Sequence, residues 1–359
     1  MSKLLKAGII GCGGIANQKH MPAIQKTGMV EMVSFCDIKP ERATEAAEKY
    51  GISNATTSTD YKALVNDPAI DIIYVLTPNK SHSVITIAAL EAGKHVMCEK
   101  PMAKTSAEAR AMVAAAKKAD KVLTIGYQNR FKPEAAYIKK CANRGDLGDI
   151  YFAKAHALRR RAVPTWGVFL DEEEQGGGPL IDIGTHALDL ALWFMNKYKP
   201  KSVMGSVFHK LNENGDCGNV FGPWNPKEFT VEDAAFGYIT MEDGSTIILE
   251  SSWALNTLQY GEAKATICGT KGGADMWDGV RINGDDFGKL YEKKPALGAD
   301  GVDFFMGGGN SAEVEEQLSF LNAIIKGEPL TVLPEEACIV TEILEAIYES
   351  AKTGKLVTF

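Results

Sequence analysis

The stretch Ala7-Gly8-Ile9-Ile10-Gly11-Cys12-Gly13-Gly14-Ile15-Ala16 decides the fold of this chain. Ala7 to Ile10 reads as a buried strand. The G-x-G-x-x-A pattern from Gly11 to Ala16 allows a tight turn and lets a pyrophosphate come close to backbone at a helix N-terminus. Such a fingerprint carries weight only in context. Here a strand precedes it, a helical segment follows it, and Asp37 ends a second apolar run from Glu31 to Cys36. A carboxylate at that point accepts from both ribose hydroxyls of NAD and repels the extra phosphate of NADP. NAD is therefore the expected cofactor and NADP the weaker one, with Lys39 screening part of the repulsion.

Outward from the fingerprint, Ile70 to Leu76, His95 to Cys98 and Val122 to Ile125 read as further strands. Helical patterns over Ser81 to Ala92 and Ser106 to Ala119 alternate with them, each opened by a capping Ser. This alternation predicts an α/β fold with a doubly wound parallel sheet, which binds ligands beyond the carboxyl ends of its strands. Two motifs fall at that edge. Thr77-Pro78-Asn79 with His82 is placed to line the dinucleotide, and Glu99-Lys100-Pro101 puts an ammonium beside the nicotinamide position. After Tyr127 longer strands are expected at Ile150 to Leu158, Ser202 to His209, Asp233 to Thr240, Thr246 to Ser252 and Glu262 to Cys268. Turns such as Glu242-Asp243-Gly244 join them into a mainly antiparallel sheet with helices on one face. Helices over Ala312 to Ile325 and Pro334 to Lys352 close the chain, and Gly215 to Gly222 and Gly307 to Gly309 read as loops. The expected domains are 1–127 for the dinucleotide and 128–359 for the substrate.

A second informative stretch runs from Gly176 through Gly177-Gly178-Pro179-Leu180-Ile181-Asp182-Ile183-Gly184-Thr185-His186 to Asp189. Asp182, His186 and Asp189 share one helix face in an otherwise apolar run, so they need a common polar niche or a cavity. A neutral His beside a carboxylate suits a general base. The triple Gly reads as backbone open to close approach by a ligand. Asp189, at the far end of the stripe, is expected in a structural salt bridge. His20, His95, His156 and His209 have no partner at a telling spacing and read as ordinary.

The chain has 359 residues, enough for two domains, and a net charge of -7, which opposes binding to nucleic acid or an anionic membrane. No leader peptide or apolar run long enough to span a bilayer is evident, so a cytoplasmic protein is expected. Its 7 cysteines show no spacing for a disulfide scaffold or a metal site and read as reduced, so no metal is expected.

Together these residues resemble the Gfo/Idh/MocA oxidoreductase family across essentially the whole chain. The marks are the Gly11 to Ala16 fingerprint, Thr77-Pro78-Asn79 with His82, Glu99-Lys100-Pro101, Asn129-Arg130-Phe131, and Gly177 to His186 with Asp189. The resemblance implies an N-terminal Rossmann domain and a C-terminal α/β domain whose large, open, mainly antiparallel sheet serves homo-oligomer contacts in a dimer or tetramer. It also implies that Lys100, Asp182 and His186 surround the reacting carbinol. The segment Trp166 to Gln175 and the Trp224 loop are similar to those of members acting on glycosides, which implies oxidation at ring carbon 3.

The chemistry agrees with the residue types. Hydride leaves a secondary alcohol carbon only as its hydroxyl proton is removed. His186 is assigned as base, Lys100 as stabiliser of alkoxide charge, and Asp182 as the group orienting the hydroxyl or the imidazole. Trp166 can stack on a pyranose, with Tyr127, Asn129 and Arg130 as hydroxyl partners. At least two of Arg159, Arg160 and Arg161 are expected in solvent. The leading reading is an NAD-dependent dehydrogenase oxidising a secondary hydroxyl of a sugar, glycoside or cyclitol. The alternatives are a redox-neutral glycoside hydrolase or lyase that uses NAD transiently, and a non-catalytic dinucleotide sensor.

Overall fold

The computed structural model describes residues 4–297 and 310–359, so the loop expected at Gly307 to Gly309 lies outside the described residues. The chain divides into two compact units, one of residues 1–131 and 310–338, the other of 132–309 and 339–359. This differs from a single cut after Tyr127, because residues 310–338 return to the first unit.

The first unit is built on β1 (Leu5–Ile10), β2 (Val30–Cys36), β3 (Thr56–Ser58), β4 (Ile72–Val75), β5 (His95–Cys98) and β6 (Leu123–Ile125). Their order is β3-β2-β1-β4-β5-β6, all pairs parallel. The order reverses between β1 and β4, where a doubly wound sheet opens a crevice at its carboxyl edge. All four residues of β4 are buried, as expected of a strand covered on both faces. Helices α1 (Met21–Thr27), α2 (Pro40–Tyr50), α3 (Tyr61–Val65), α4 (His82–Glu91) and α5 (Ser106–Ala119) connect the strands. A capping box of Thr105 and Glu108 starts α5. The core joins Ile9, Met21, Ile24, Phe35, Ile72 and Met97 with Phe320 and Leu321. That burial explains the return of residues 310–338.

In the second unit come α6 (Pro133–Arg144), β7 (Ile150–Leu158), α7 (Glu172–Gln175), α8 (Thr185–Met195), β8 (Pro200–Phe208), β9 (Ala234–Met241) and β10 (Thr246–Ser252). They are followed by β11 (Gly261–Gly269), β12 (Gly272–Asp275), β13 (Arg281–Asp286) and β14 (Lys289–Lys293). The chain ends with α9 (Ala312–Lys326), α10 (Pro334–Thr353) and β15 (Val357–Thr358). The sheet order is β14-β13-β12-β11-β7-β10-β9-β8-β15, antiparallel except for the β7/β10 pair. The register separates its two faces. Val203, Ile239, Ile247, Leu249, Ala153, Ala155 and Ile267 are buried, whereas Met204, Tyr238 and Lys154 are exposed in one cross-strand row. Among the described residues no helix is long and apolar enough to cross a membrane.

Candidate active site

At the carboxyl edge of the parallel sheet the loops after β1, β2, β4 and β5 carry Gly11 to Ala16, Asp37, Thr77 to Asn79, and Glu99 with Lys100. Adjacent strands thus bring most of the expected cofactor residues to one edge. Gly11 has φ +92°, and a Cβ there would lie 2.5 Å from the Leu76 carbonyl oxygen. Only glycine lets the turn after β1 pass so close to β4. By contrast, a Cβ on Gly14 would meet nothing, and one on Gly13 only the Arg42 guanidinium at 4.0 Å. The backbone at Gly13 and Gly14 is therefore accessible to a pyrophosphate, and Arg42 offers it a cation. Sequence reasoning missed Arg42 because its place depends on how α2 is oriented.

Asp37 is buried. Its Oδ2 accepts the Cys12 N–H at 2.8 Å and its Oδ1 accepts the Lys39 N–H at 2.9 Å, so the carboxylate is fixed in place with lone pairs to spare for a ribose. Burial, aided by Asp37, pushes the Cys12 thiol up to about 12, so this cysteine stays a neutral thiol. Replacing Asp37 by Ser should erode the preference for NAD over NADP, with Lys39 and Arg42 left to attract the extra phosphate. Calorimetric titration with both dinucleotides checks this, and tighter NADP than NAD binding by the unmodified protein would overturn the assignment.

His82, expected along the dinucleotide, is wholly buried, with Nε2 2.8 Å from the Thr77 carbonyl and Nδ1 2.8 Å from the Pro101 carbonyl. It ties the loop after β4 to the loop after β5. Glu99 turns away from solvent. Its Oε1 accepts from Lys19 at 2.9 Å and lies 2.7 Å from His20 Nε2, and its Oε2 accepts the Lys100 N–H at 2.9 Å. Burial opposes its ionisation, but Lys19 and His20 hold it well below the usual carboxylate range.

In the second unit the helix with the polar stripe does not begin as a regular α-helix. Leu180–Gly184 is wound more widely, as a π-helical turn, before α8 starts at Thr185. Asp182 sits in this turn and accepts the Trp253 indole N–H at 3.0 Å. His186, in the first turn of α8, is 8% exposed, and Asp189 is fully buried. Trp253 is itself backed by the Phe229 ring at 6.3 Å, and Phe229 in turn meets Trp224 at 5.9 Å. The Trp224 loop thus supports the Asp182 contact.

The glycines before this turn serve the protein's own packing, not a ligand's approach. A Cβ on Gly177 would lie 2.0 Å from the Tyr348 hydroxyl, and one on Gly178 2.3 Å from the Glu232 carbonyl oxygen. The Glu232 carboxylate accepts the Gly178 N–H at 2.7 Å, the Leu180 N–H at 3.0 Å and the Tyr348 hydroxyl at 2.9 Å. Ser251 donates to the Pro179 carbonyl at 2.7 Å. Asp182 and His186 are therefore carried on a segment clamped by Glu232, Tyr348 and Ser251.

Other expectations need correction. Arg130 was expected at the substrate, yet its side chain is fully buried, donating to the Thr331 carbonyl at 2.9 Å and pairing with Glu336 at 2.5 Å. It fastens the end of the sheet domain to the returning segment. Asn129 beside it is also buried. Arg159 pairs with Glu262 at 2.6 and 2.9 Å, and Arg161 donates to Cys217 Sγ at 3.0 Å and to Asn256 Oδ1 at 2.9 Å, leaving Arg160 as the solvated member. His20 and His156 are not ordinary, since each meets a carboxylate, Glu99 and Glu250 respectively, at 2.7 Å. Trp166 is 51% exposed, with Phe221 and Phe169 set edgewise against it at 4.7 and 5.8 Å. All 7 cysteines are free thiols.

Comparison with known proteins accords with this geometry. Residues 5–127 match the oxidoreductase family with an NAD-binding Rossmann fold, and residues 135–275 match the GFO/IDH/MocA C-terminal domain. The chain is 37% identical over 354 residues to the D-glucoside 3-dehydrogenase of Escherichia coli (strain K12), covering 98% of this chain and 97% of that one. It is 30% identical to the levoglucosan dehydrogenase of Pseudarthrobacter phenanthrenivorans, over 69% of this chain and 67% of that relative. Among solved structures, the aldose-aldose oxidoreductase of Caulobacter crescentus complexed with glycerol matches with a TM-score of 0.80 at 25% identity, covering 99% of this chain and 100% of that one. With the nucleotide fingerprint at the sheet edge, the Glu-Lys-Pro loop and the Asp/His helix all in place, the chain belongs to the GFO/IDH/MocA oxidoreductase family.

Proposed function

We propose that this protein is an NAD-dependent dehydrogenase that oxidises a secondary hydroxyl of a sugar or glycoside, with ring carbon 3 of a glucoside as the preferred position. The substrate rests above all on the likeness to D-glucoside 3-dehydrogenase, 37% identical over 98% of this chain. The cofactor rests on the NAD-binding family match and on the fit of the residues: open backbone at Gly13 and Gly14, and Asp37 fixed with lone pairs to spare. Residues 1–127 take the dinucleotide, with Gly11 to Ala16 under the pyrophosphate, Asp37 on the ribose, and Thr77, Pro78, Asn79, Glu99 and Lys100 along its length, the loops being held by His82. The second compact unit takes the substrate and forms oligomer contacts.

NAD, when bound, supplies the hydride acceptor. Lys100, Asp182 and His186 act on one hydroxyl. His186 removes its proton, the Lys100 ammonium stabilises negative charge growing on its oxygen, and Asp182, anchored by Trp253, orients the hydroxyl or the imidazole. Trp166 offers a ring face to the pyranose, and Asn129 helps to shape the site. The products are a keto-sugar, NADH and a proton. A cytoplasmic, homo-oligomeric enzyme agrees with 7 free thiols and with the exposed row of Met204, Tyr238 and Lys154 on the open sheet face.

Incubation with NAD and a panel of glucosides, monosaccharides and inositols tests this reading. NADH should accumulate in proportion to a keto product, with any glycosidic bond intact. Free aglycone with NAD unchanged after many turnovers would replace the dehydrogenase with a redox-neutral hydrolase.

A further inference from the structure

Beneath the Glu99-Lys100-Pro101 loop lies a buried polar cluster whose other members, Lys19, His20 and Glu316, the chemistry above does not use. Four segments of the first unit meet there: the turn Ala16–His20, the end of β5, the turn Gln128–Phe131, and α9. Lys19 reaches Glu99 at 2.9 Å, Glu316 at 3.0 Å and Gln128 at 3.2 Å. His20 lies 2.7 Å from Glu99 through Nε2 and 3.3 Å from Gln317 Nε2 through Nδ1. Because the Gln317 amide donates to Nδ1, the ring must carry its proton on Nε2 and donate to Glu99. Burial and the neighbouring Lys19 lower His20 to about 4, so it is a neutral donor. The other Glu99 oxygen accepts the backbone N–H of Lys100, and on the far side of Lys100 the Pro101 carbonyl meets His82. The backbone of Lys100 is thus held from both sides, and the hold through Glu99 depends on Lys19 and His20.

We propose that Lys19, His20 and Glu316 are positioning residues for Lys100, and that the charge on Glu316 sets how turnover depends on pH. This inference rests on the reading that Lys100 acts on the reacting hydroxyl. A stabilising ion pair needs one carboxylate for one ammonium, and a second buried carboxylate adds a desolvation cost. Glu316 is that second carboxylate. Burial pushes it up to about 7, against the pull of Lys19. The charged and titratable groups around it are Lys19, Glu99, the Tyr74 phenol on β4, and Glu313 on its own helix. Tyr74 is raised by burial and stays neutral, as does His20. When Glu316 loses its proton, the cluster of Lys19, Glu99 and Glu316 passes from neutral to net negative. An ionised Glu316 anchors Lys19 by a full ion pair, whereas the protonated acid offers it only a neutral hydrogen bond, so ionisation tightens the cluster that holds Glu99 and, through Glu99, the Lys100 backbone. Turnover therefore rises as Glu316 ionises.

The experiment compares Glu316→Gln with the unmodified enzyme across neutrality. Gln fixes the neutral form, so turnover at pH 8 should fall about tenfold, within the roughly 10²-fold that a 1 Å misplacement of a catalytic group can cost. The kcat profile should lose one ionisation between about pH 6 and 8 while NAD affinity stays unchanged. In a Lys100→Met background the same change should add nothing. Wild-type rate and profile in Glu316→Gln, with Lys100→Met inactive, would overturn the positioning role and leave the dehydrogenase reading standing. Normal turnover in Lys100→Met would instead remove the premise and the proposal with it. Infrared difference spectra of the unmodified protein with NAD give a readout independent of any variant's folding. The carbonyl band of a protonated buried carboxylic acid should vanish as the pH rises through about 7. Absence of such a band from the unmodified protein, or its persistence in a folded Glu316→Gln protein, overturns the proposal.

Discussion

Turnover should fall by about 10²- to 10⁴-fold when His186 is replaced by Ala, the range set by loss of a positioned general base. His186 is the second residue of α8, just beyond the wide turn that carries Asp182, and almost no other change to the helix is needed to remove the base. NAD binding should survive, because the fingerprint, Asp37 and the strand-edge loops belong to the other compact unit. The effect should appear in kcat and kcat/KM alike, as expected for an interaction made in the transition state. Lys100→Met should act in the same way, since a thioether keeps the length of the side chain but provides no charge for an alkoxide. Saturating-substrate kinetics, paired with calorimetric titration of NAD, check both variants. Normal turnover in either would remove that residue from the mechanism, and lost NAD affinity would show that the change had reached the cofactor instead.

The parts of this arrangement that were legible in the sequence are local. Gly11 to Ala16, the strand ends at Asp37, Thr77 and Glu99, and the polar stripe from Asp182 each depend on a few consecutive residues and on strand or helix period. β5, β7, β10 and α5 run between the residues that their patterns indicate. What was not legible depends on contacts between distant segments. His20 and Glu99 are 79 positions apart, and His20 and Gln317 are 297 apart, so no spacing rule joins them. Arg130 looked available because its motif opens the loop after β6. Its burial follows from the return of residues 310–338, which Phe320 and Leu321 drive by completing the first core. The run of glycines points to close approach by a ligand, but what approaches Gly177 and Gly178 is the protein's own Tyr348 and Glu232. Sequence can show that backbone is bare without showing what fills the space. The wide turn over Leu180–Gly184 also escaped notice, since an extra residue per turn leaves the apolar pattern almost unchanged over five residues.

Glu232→Ala should be the most damaging single change to the fold of the second unit, costing about 3 kcal/mol or more. The side chain is buried and serves three donors, the N–H groups of Gly178 and Leu180 and the hydroxyl of Tyr348. Each buried donor left without an acceptor costs about 1–3 kcal/mol, and water entering the cavity recovers only part of that. Glu232→Gln should be milder but still harmful. One of its two terminal atoms becomes an NH₂ group facing a backbone N–H, because Gly178 and Leu180 approach different carboxylate oxygens. The two variants also separate charge from shape. Burial raises Glu232 above the usual carboxylate range despite its hydrogen bonds. The native state therefore binds this proton more tightly than the unfolded chain does, and the associated stability is full below about pH 4.3 and lost as the pH rises through the higher folded value. Glu232→Gln should remove that decline, so its melting temperature should change less with pH over this window than that of the unmodified protein. Because the clamp holds the segment that carries Asp182 and His186, kcat should fall in both variants at temperatures where they remain folded. Thermal unfolding across the acid range, with kcat measured on the same samples, decides the matter. A Glu232→Ala protein as stable and as active as the unmodified one would show that Tyr348 and Ser251 position the segment without it.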